Sequence, residues 1–165
     1  MSNTSQNLQE AFAGESQASR KYHHFAAAAE KEGFKQVAKL FRAAALAETI
    51  HAGNHLKAMG GLNSTKENLK AAIEGENYEV VSMYPAFIKA AEEEDNKQAL
   101  RVFKYAWEVE KEHEVLYRQA LDSLDSGQEE VDYYVCPICG HTHVGKPESA
   151  CPVCGYPAEK FIRAE

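Results

Sequence analysis

Four short motifs carry the chemistry of this 165-residue chain: Glu48-Thr49-Ile50-His51, Glu110-Lys111-Glu112-His113, and two Cys-x-x-Cys pairs, Cys136 with Cys139 and Cys151 with Cys154. A spacing of three puts Glu and His on one helix face about a turn apart, so both reach one metal or two adjacent ones. Two further carboxylates, Glu15 and Glu76, precede the two Glu-x-x-His motifs by 33 and 34 residues. A Glu on one helix and Glu-x-x-His on the next, present twice, is how helical bundles hold two iron or manganese ions. Glu15, Glu48, Glu76 and Glu110 have mainly apolar neighbours at i±3, i±4 and i±7, and none of those neighbours is Lys or Arg. Carboxylates converging in a bundle interior cost several kcal/mol each without positive charge, and two divalent metals supply it. Glu79 has no acidic counterpart in the first half, where Gln17 and Ala18 stand. The site is therefore predicted to be asymmetric.

The elements that must position these groups are helices. Apolar residues at helical spacing predict one helix over about Thr4 to Lys31, ended by Gly33, and a second over about Lys35 to Met59, stopped by Gly60-Gly61. Ser64-Thr65-Lys66-Glu67 is a capping-box signature for a third. Pro85 is expected to kink it, lacking the donor for the Val81 carbonyl. The fourth is predicted over about Lys97 to Leu124. The region is also an internal repeat. Gly14-Glu15 recurs as Gly75-Glu76, at an offset of 61. Phe25 recurs as Phe87, Ala29-Glu30 as Ala91-Glu92, Lys35-Gln36 as Lys97-Gln98, Phe41 as Phe103 and Glu48-x-x-His51 as Glu110-x-x-His113, all at an offset of 62. Two copies of one helical hairpin are predicted. Tyr22, two turns beyond Glu15, and Tyr84 read as core tyrosines with a candidate role beside the carboxylates. His23, His24 and His55 read as surface or packing residues, and Trp107 as core.

The four cysteines all lie between Cys136 and Cys154, beyond the polar linker Ser126-Gly127-Gln128-Glu129-Glu130. A piece of some 30 residues cannot hold itself together by apolar burial alone. Each pair places two thiolates on one ion, and Gly140 and Gly155 permit the tight turn that follows. The spacing predicts a tetrathiolate site and leaves iron and zinc open, with His141 and His143 expected to be exposed. The predicted organisation is a bundle over 1–125, a linker over 126–132 and a metal module over 133–165.

Composition excludes several classes. With 25 Asp and Glu against 18 Lys and Arg the net charge is -7, and there is no basic block, so nucleic acid is not an expected partner. Setting aside the five candidate ligand glutamates leaves 20 acids against 18 bases, so most of the surplus is assigned to a metal shell. No apolar run is long enough for a membrane span, and Met1-Ser2-Asn3-Thr4 lacks signal-peptide character, so the expected location is the cytoplasm, where clustered cysteines bind metal.

The stretches Ala11-Phe12-Ala13-Gly14-Glu15-Ser16-Gln17, Glu48-Thr49-Ile50-His51, Gly75-Glu76-Asn77-Tyr78-Glu79, Met83-Tyr84-Pro85, Glu110-Lys111-Glu112-His113 and both cysteine pairs resemble the rubrerythrin family. The resemblance implies a mainly α fold, a ferritin-like four-helix bundle followed by a rubredoxin-like module. It implies that Glu15, Glu48, His51, Glu76, Glu79, Glu110 and His113 bind two irons, with one iron moving between His51 and Glu79 as oxidation state changes. Cys136, Cys139, Cys151 and Cys154 would hold one iron, with zinc as the alternative. Tyr22 and Tyr84 would hydrogen-bond to the carboxylates. The implied activity is reduction of hydrogen peroxide to water in oxidative-stress defence. Its electrons would enter through the four-cysteine iron from an external NADH-linked donor such as rubredoxin or its reductase. A ferroxidase or iron-handling protein is the alternative.

Chain length adds one expectation. A bundle with parallel second and third helices needs a connection crossing about 35 Å. Gly60 to Ser64 reach roughly 17 Å at full extension. Either residues up to about Ala72 are extended, against their helical pattern, or the third and fourth helices pack on another chain. The resemblance to some rubrerythrins favours the second, a domain-swapped homodimer with Glu15, Glu48 and His51 from one chain beside Glu76, Glu79, Glu110 and His113 from its partner.

Overall fold

The computed structural model describes residues 3–127 and 130–165, so Met1, Ser2 and the linker residues Gln128 and Glu129 lie outside the described residues. The chain divides into two compact units, Met1–Asn63 and Ser64–Glu165.

The first unit is a hairpin of α1 (Asn3–Lys31) and α2 (Lys35–Ala58). Small residues set how closely its helices pack: Ser19, Ala26 and Ala29 of α1 and Ala38, Ala45 and Ala52 of α2 are buried. On α2 these alanines recur every seven residues, the spacing that keeps one seam facing a neighbouring helix. The Thr49 hydroxyl donates to the Ala45 carbonyl at 2.8 Å, so across the seam it accepts from Ser19 Oγ at 3.2 Å. Gly33 (φ 89°) closes α1, where the Phe34 amide donates to the Ala29 carbonyl at 2.8 Å.

The second unit begins with the anticipated capping box. The Glu67 amide donates to Ser64 Oγ at 3.3 Å and the Ser64 amide donates to Glu67 Oε2 at 3.1 Å. From there α3 (Thr65–Tyr78), a π-helical segment (Glu79–Met83) and α4 (Tyr84–Glu93) run as one interrupted rod, and α5 (Lys97–Ser123) returns against it. The molecule is mainly α, with four helical rods.

The interruption explains the change of repeat offset. A π turn holds one residue more than the α turn it replaces. Glu76 matches Glu15 at an offset of 61, whereas Tyr84 matches Tyr22 at an offset of 62, so between them the second hairpin has gained one residue. The π segment absorbs it. The anticipated interruption at Pro85 coincides with this segment, and the π register changes which carbonyl the proline leaves unserved. The Tyr84 amide donates five residues back to the Glu79 carbonyl, and in that register Pro85 would leave the Val80 carbonyl without a helical donor. The Trp107 indole donates to that carbonyl at 2.8 Å, so the tryptophan is more than core filling.

Elsewhere the repeat survives in three dimensions. Tyr22, Phe25 and Phe41 form an aromatic triangle with centroids 5.5 to 6.2 Å apart, and Tyr84, Phe87 and Phe103 form its counterpart at 5.5 to 6.4 Å. Asp95 (φ 49°) occupies the left-handed position that Gly33 holds in the first hairpin. Asn96 then caps α5 by accepting from the Ala99 amide at 3.1 Å.

Beyond α5, three short antiparallel strands, β1 (Tyr133–Val135), β2 (Thr142–Val144) and β3 (Ile162–Arg163), pair in the order β2-β1-β3. Strand β2 lies against α5. Among the described residues no helix is long and apolar enough to cross a membrane.

Candidate metal centres

The two knuckles of the cysteine module are built alike. In the first, the Cys136 amide donates to the His141 carbonyl at 2.9 Å and the Gly140 amide to the Cys136 carbonyl at 2.9 Å. In the second, the Cys151 amide donates to Tyr156 and the Gly155 amide to Cys151, both at 2.8 Å. Gly140 (φ 85°) and Gly155 (φ 75°) take the left-handed conformation these turns require. The result brings Cys136 Sγ within 3.6 Å of Cys154 Sγ, and Cys139 Sγ within 3.5 Å of Cys151 Sγ. A tetrahedron with metal–sulfur bonds of about 2.3 Å has edges of about 3.8 Å, so the four sulfurs fit a single ion. They are too far apart for disulfides, whose bonds are about 2.05 Å. Burial raises the Cys136 thiol pKa, but hydrogen bonds from the Cys139 and Ile138 amides and from Cys154 leave it below its usual value. Burial, with the neighbouring thiols, pushes Cys139 well above its usual value. A cation relieves that conflict by stabilising every thiolate at once.

The helical residues gather into two trios. In the first unit Glu15, Glu48 and His51 bring their ligand atoms within 4.8 Å of one another, and in the second Glu76, Glu110 and His113 do the same. Each histidine turns Nδ1 toward the glutamate one turn back on its helix, His51 at 2.8 Å from Glu48 Oε2 and His113 at 2.7 Å from Glu110 Oε2. An imidazole lone pair and a carboxylate oxygen that close need a proton or a cation between them.

The electrostatics of the second trio point the same way. Burial pushes Glu76 up to about 7, helped by the charge of Glu110 and a hydrogen bond with it, while His113 pulls it back. Glu79, brought into this field at the start of the π segment, is raised by burial and by Glu110. His113 is raised by its hydrogen bond to Glu110 despite burial. The donor set thus fits a divalent cation, whose charge would let all three carboxylates ionise.

Tyr84 feels the same charges, and burial followed by Glu110, Glu79 and Glu76 pushes it up to about 12. Tyr22 packs 6.2 Å from Phe25 and 6.0 Å from Phe41. Neither hydroxyl is hydrogen-bonded to a carboxylate among the described residues, so Tyr84 relates to the site through charge rather than through the anticipated bond.

His141 corrects an expectation. It is buried, 7% exposed, because α5 covers it. Its Nδ1 is hydrogen-bonded to Glu112 Oε2, and the Phe161 ring stands edge-on at 6.0 Å. His143 is half-buried, with Nδ1 donating to the Gly145 carbonyl at 3.0 Å. Two residues beside the second trio have contacts that the motifs do not mark. Thr142 Oγ1 is 3.0 Å from His113 Nε2, and Glu112 is the partner of His141. Both contacts join positions 29 apart in the chain, and no local pattern could mark them.

A helical region carrying carboxylate-and-histidine trios, followed by a tetrathiolate knuckle pair, defines a ferritin-like di-metal protein with a rubredoxin-like module. The rubrerythrin family model matches residues 6–121, and the model for the rubrerythrin rubredoxin-like domain matches residues 134–162. The chain belongs to the rubrerythrin family.

It is 37% identical to nigerythrin of Nitratidesulfovibrio vulgaris over 172 residues, covering 96% of this chain and 85% of that protein. It is also 37% identical to a rubrerythrin of Porphyromonas gingivalis over 179 residues, covering 97% and 89%. A solved structure of fully reduced, all-ferrous nigerythrin is similar with a TM-score of 0.60 and 36% identity, covering 99% of this chain and 88% of that one. The family provides a di-iron site and a four-cysteine site for iron or zinc, and its members are oxidoreductases of oxidative-stress defence that take electrons from a donor such as rubredoxin.

Proposed function

We propose that this protein is a cytoplasmic peroxidase that reduces hydrogen peroxide to water at a di-iron centre, drawing electrons through the four-cysteine iron from an external NADH-linked donor. The observation that supports this reading most is the company the second trio keeps: Glu76, Glu110 and His113 lie on the same unit as a four-thiolate module whose Thr142 reaches His113. A ferroxidase needs no such module.

The proposed ligands are Glu15, Glu48, His51, Glu76, Glu79, Glu110 and His113 at the di-iron centre, and Cys136, Cys139, Cys151 and Cys154 at the single iron. The proposed organisation is a bundle over 1–125, a linker over 126–132 and a module over 133–165. When bound, the two irons supply the two electrons that cleave the O–O bond, and with two protons one peroxide gives two waters. The chain's part is to hold and to protonate. The five carboxylates would neutralise the irons, with Glu79 as the carboxylate that has no counterpart in the first hairpin. Tyr84, pushed up to about 12 by burial and the neighbouring carboxylates, would stay protonated at physiological pH and would serve as a proton donor.

The test is anaerobic reduction of the iron-loaded protein followed by mixing with peroxide or with dioxygen. Oxidation by peroxide at least tenfold faster than by dioxygen is expected. Equal rates, or zinc at the cysteines, would favour iron handling instead.

The same reading makes the working molecule a domain-swapped homodimer. Met59 to Ser64 span at most about 22 Å, whereas α2, with 24 residues, is about 36 Å long. Leu40, Leu46 and Ile50 on α2 are 68%, 64% and 55% exposed, an apolar surface that another helix would cover. Co-expressing a chain lacking Glu48 and His51 with a chain lacking Glu110 and His113 tests the exchange. In a swapped heterodimer one di-iron site is built entirely from intact halves, so half the normal di-iron content should return. A heterodimer with none would show that each site is made within one chain.

A further inference from the structure

We infer that Thr142 is a positioning residue that fixes the tautomer of His113 and completes an electron path from the four-cysteine centre to the second trio within one chain. The inference rests on the proposed peroxidase for the direction of electron flow.

The direction of each hydrogen bond follows from its neighbours. The Thr142 hydroxyl donates to the Gly140 carbonyl at 3.2 Å, so its oxygen can only accept from His113 Nε2 at 3.0 Å. His113 therefore carries a proton on Nε2, which leaves Nδ1 to face Glu110 and, at 3.9 Å, Glu76. A metal ligand whose far nitrogen is held in this way is fixed in ring orientation and in tautomer. The same two bonds make a continuous path. Cys139 is bonded to Gly140, whose carbonyl meets the Thr142 hydroxyl, which meets the His113 ring.

The junction is built to hold that geometry. On one side of Thr142, His141 is tied to Glu112 of α5. Gly140 lies so close to α5 that an added Cβ would sit 3.8 Å from Val109 Cγ1. On the other side, a cavity of about 310 Å³ is walled by Leu69, Leu116, Ala120, Tyr117 and Tyr133, with His113 and Thr142 in its lining. This largely apolar wall offers few groups to compete for the Thr142 hydroxyl. Among the described residues the first trio has no equivalent. The His51 side chain is 53% exposed, and its one hydrogen bond among the described residues is to Glu48.

In the step concerned, one electron leaves the ferrous four-cysteine iron, which becomes ferric, and reduces one ferric ion of the di-iron centre to ferrous. No atom is transferred, and two such steps restore the centre after each peroxide. The Glu76, Glu110 and His113 half is the entry point.

The test uses the iron-loaded full chain and the variants Thr142→Val, which keeps the shape and loses the hydroxyl, and Thr142→Ser, which keeps the hydroxyl. Fully reduced protein is mixed with one equivalent of peroxide, and oxidation of the di-iron centre is followed separately from the thiolate-to-iron absorption of the cysteine site. In Thr142→Val the di-iron centre should oxidise at the parental rate, and the four-cysteine iron should follow roughly tenfold to a hundredfold more slowly. Thr142→Ser should stay close to the parent. Parental behaviour in Thr142→Val, or equal slowing in both variants, would overturn the inference.

Nitrogen NMR of the zinc-loaded protein gives a readout independent of turnover. A proton on His113 Nε2 is expected in the parent and in Thr142→Ser, and a proton on Nδ1 in the parent would overturn the tautomer assignment. Failure of the peroxidase reading itself would appear elsewhere, as slow oxidation of the parent's di-iron centre by peroxide. The electron step would then be timed with dioxygen as the oxidant.

Discussion

Cys136→Ser should remove one metal ion per chain and unfold the C-terminal module while leaving the helices intact. Cys136 is the largest fully buried side chain among the described residues, 1% exposed, and its sulfur faces Cys154. The module has three strands of two or three residues each. So little regular structure cannot offset the conformational entropy of ordering some 30 residues, and the metal must supply the difference. For small tetrahedral sites that contribution is about 10–16 kcal/mol, far more than any single side chain provides. Serine offers a hard hydroxyl in place of a soft thiolate, so the ion is lost rather than weakened. Metal analysis should fall by one ion, limited proteolysis should cut beyond residue 130, and the far-ultraviolet helical signal should be retained. A variant with full metal content and a protected module would show that three sulfurs suffice.

The same module marks the border of what sequence reading could reach. The four cysteines and their glycines specify the knuckles locally, because each turn is closed by atoms within five residues. The position of the module on α5 depends on His141, Thr142, Glu112 and His113, whose contacts are side-chain events between distant segments. His141 reads as exposed because its chain neighbours are polar or small, and it is buried because a helix covers it.

The helices show a parallel contrast. Their ends follow from Gly33, Gly60 and the Ser64 capping box, and each predicted boundary falls within about a residue of the observed one. The π segment is present in the sequence only as a change of repeat offset from 61 to 62. A π turn needs no particular residue type, so the added residue has no compositional signature. Its consequence is electrostatic: the segment begins at Glu79, whose carboxyl is raised by burial and by Glu110, whereas the first hairpin has Gln17 and Ala18 at the corresponding positions.

Glu76→Gln should make the metal-free protein more stable at neutral and alkaline pH and should abolish normal metal loading. The Glu76 carboxyl has a usual value of 4.5 and is held at about 7 in the folded chain, first by burial and then by Glu110. A carboxyl raised by folding binds its proton more tightly folded than unfolded. Stability is therefore fully present below about pH 4.5, is lost as pH rises toward about 7, and is level above that. A rise from 4.5 to about 7 is worth about 3 kcal/mol unscreened, and solvent around this partly buried group brings the loss to the order of 2 kcal/mol, a few degrees in Tm for a chain of this size. Glutamine keeps the shape, can donate to Glu110 as the protonated acid does, and never ionises. The chelated variant should match the chelated parent at pH 4 and exceed it at pH 8. With metal present the order reverses, since the ion requires the charge that the apo protein resists and glutamine is a poor ligand for it. Thermal unfolding of chelated and loaded forms at both pH values measures all four cases. Equal stability of the two chelated proteins at pH 8 would mean that Glu76 carries no buried charge, and retention of both ions by the variant would remove it from the ligand set.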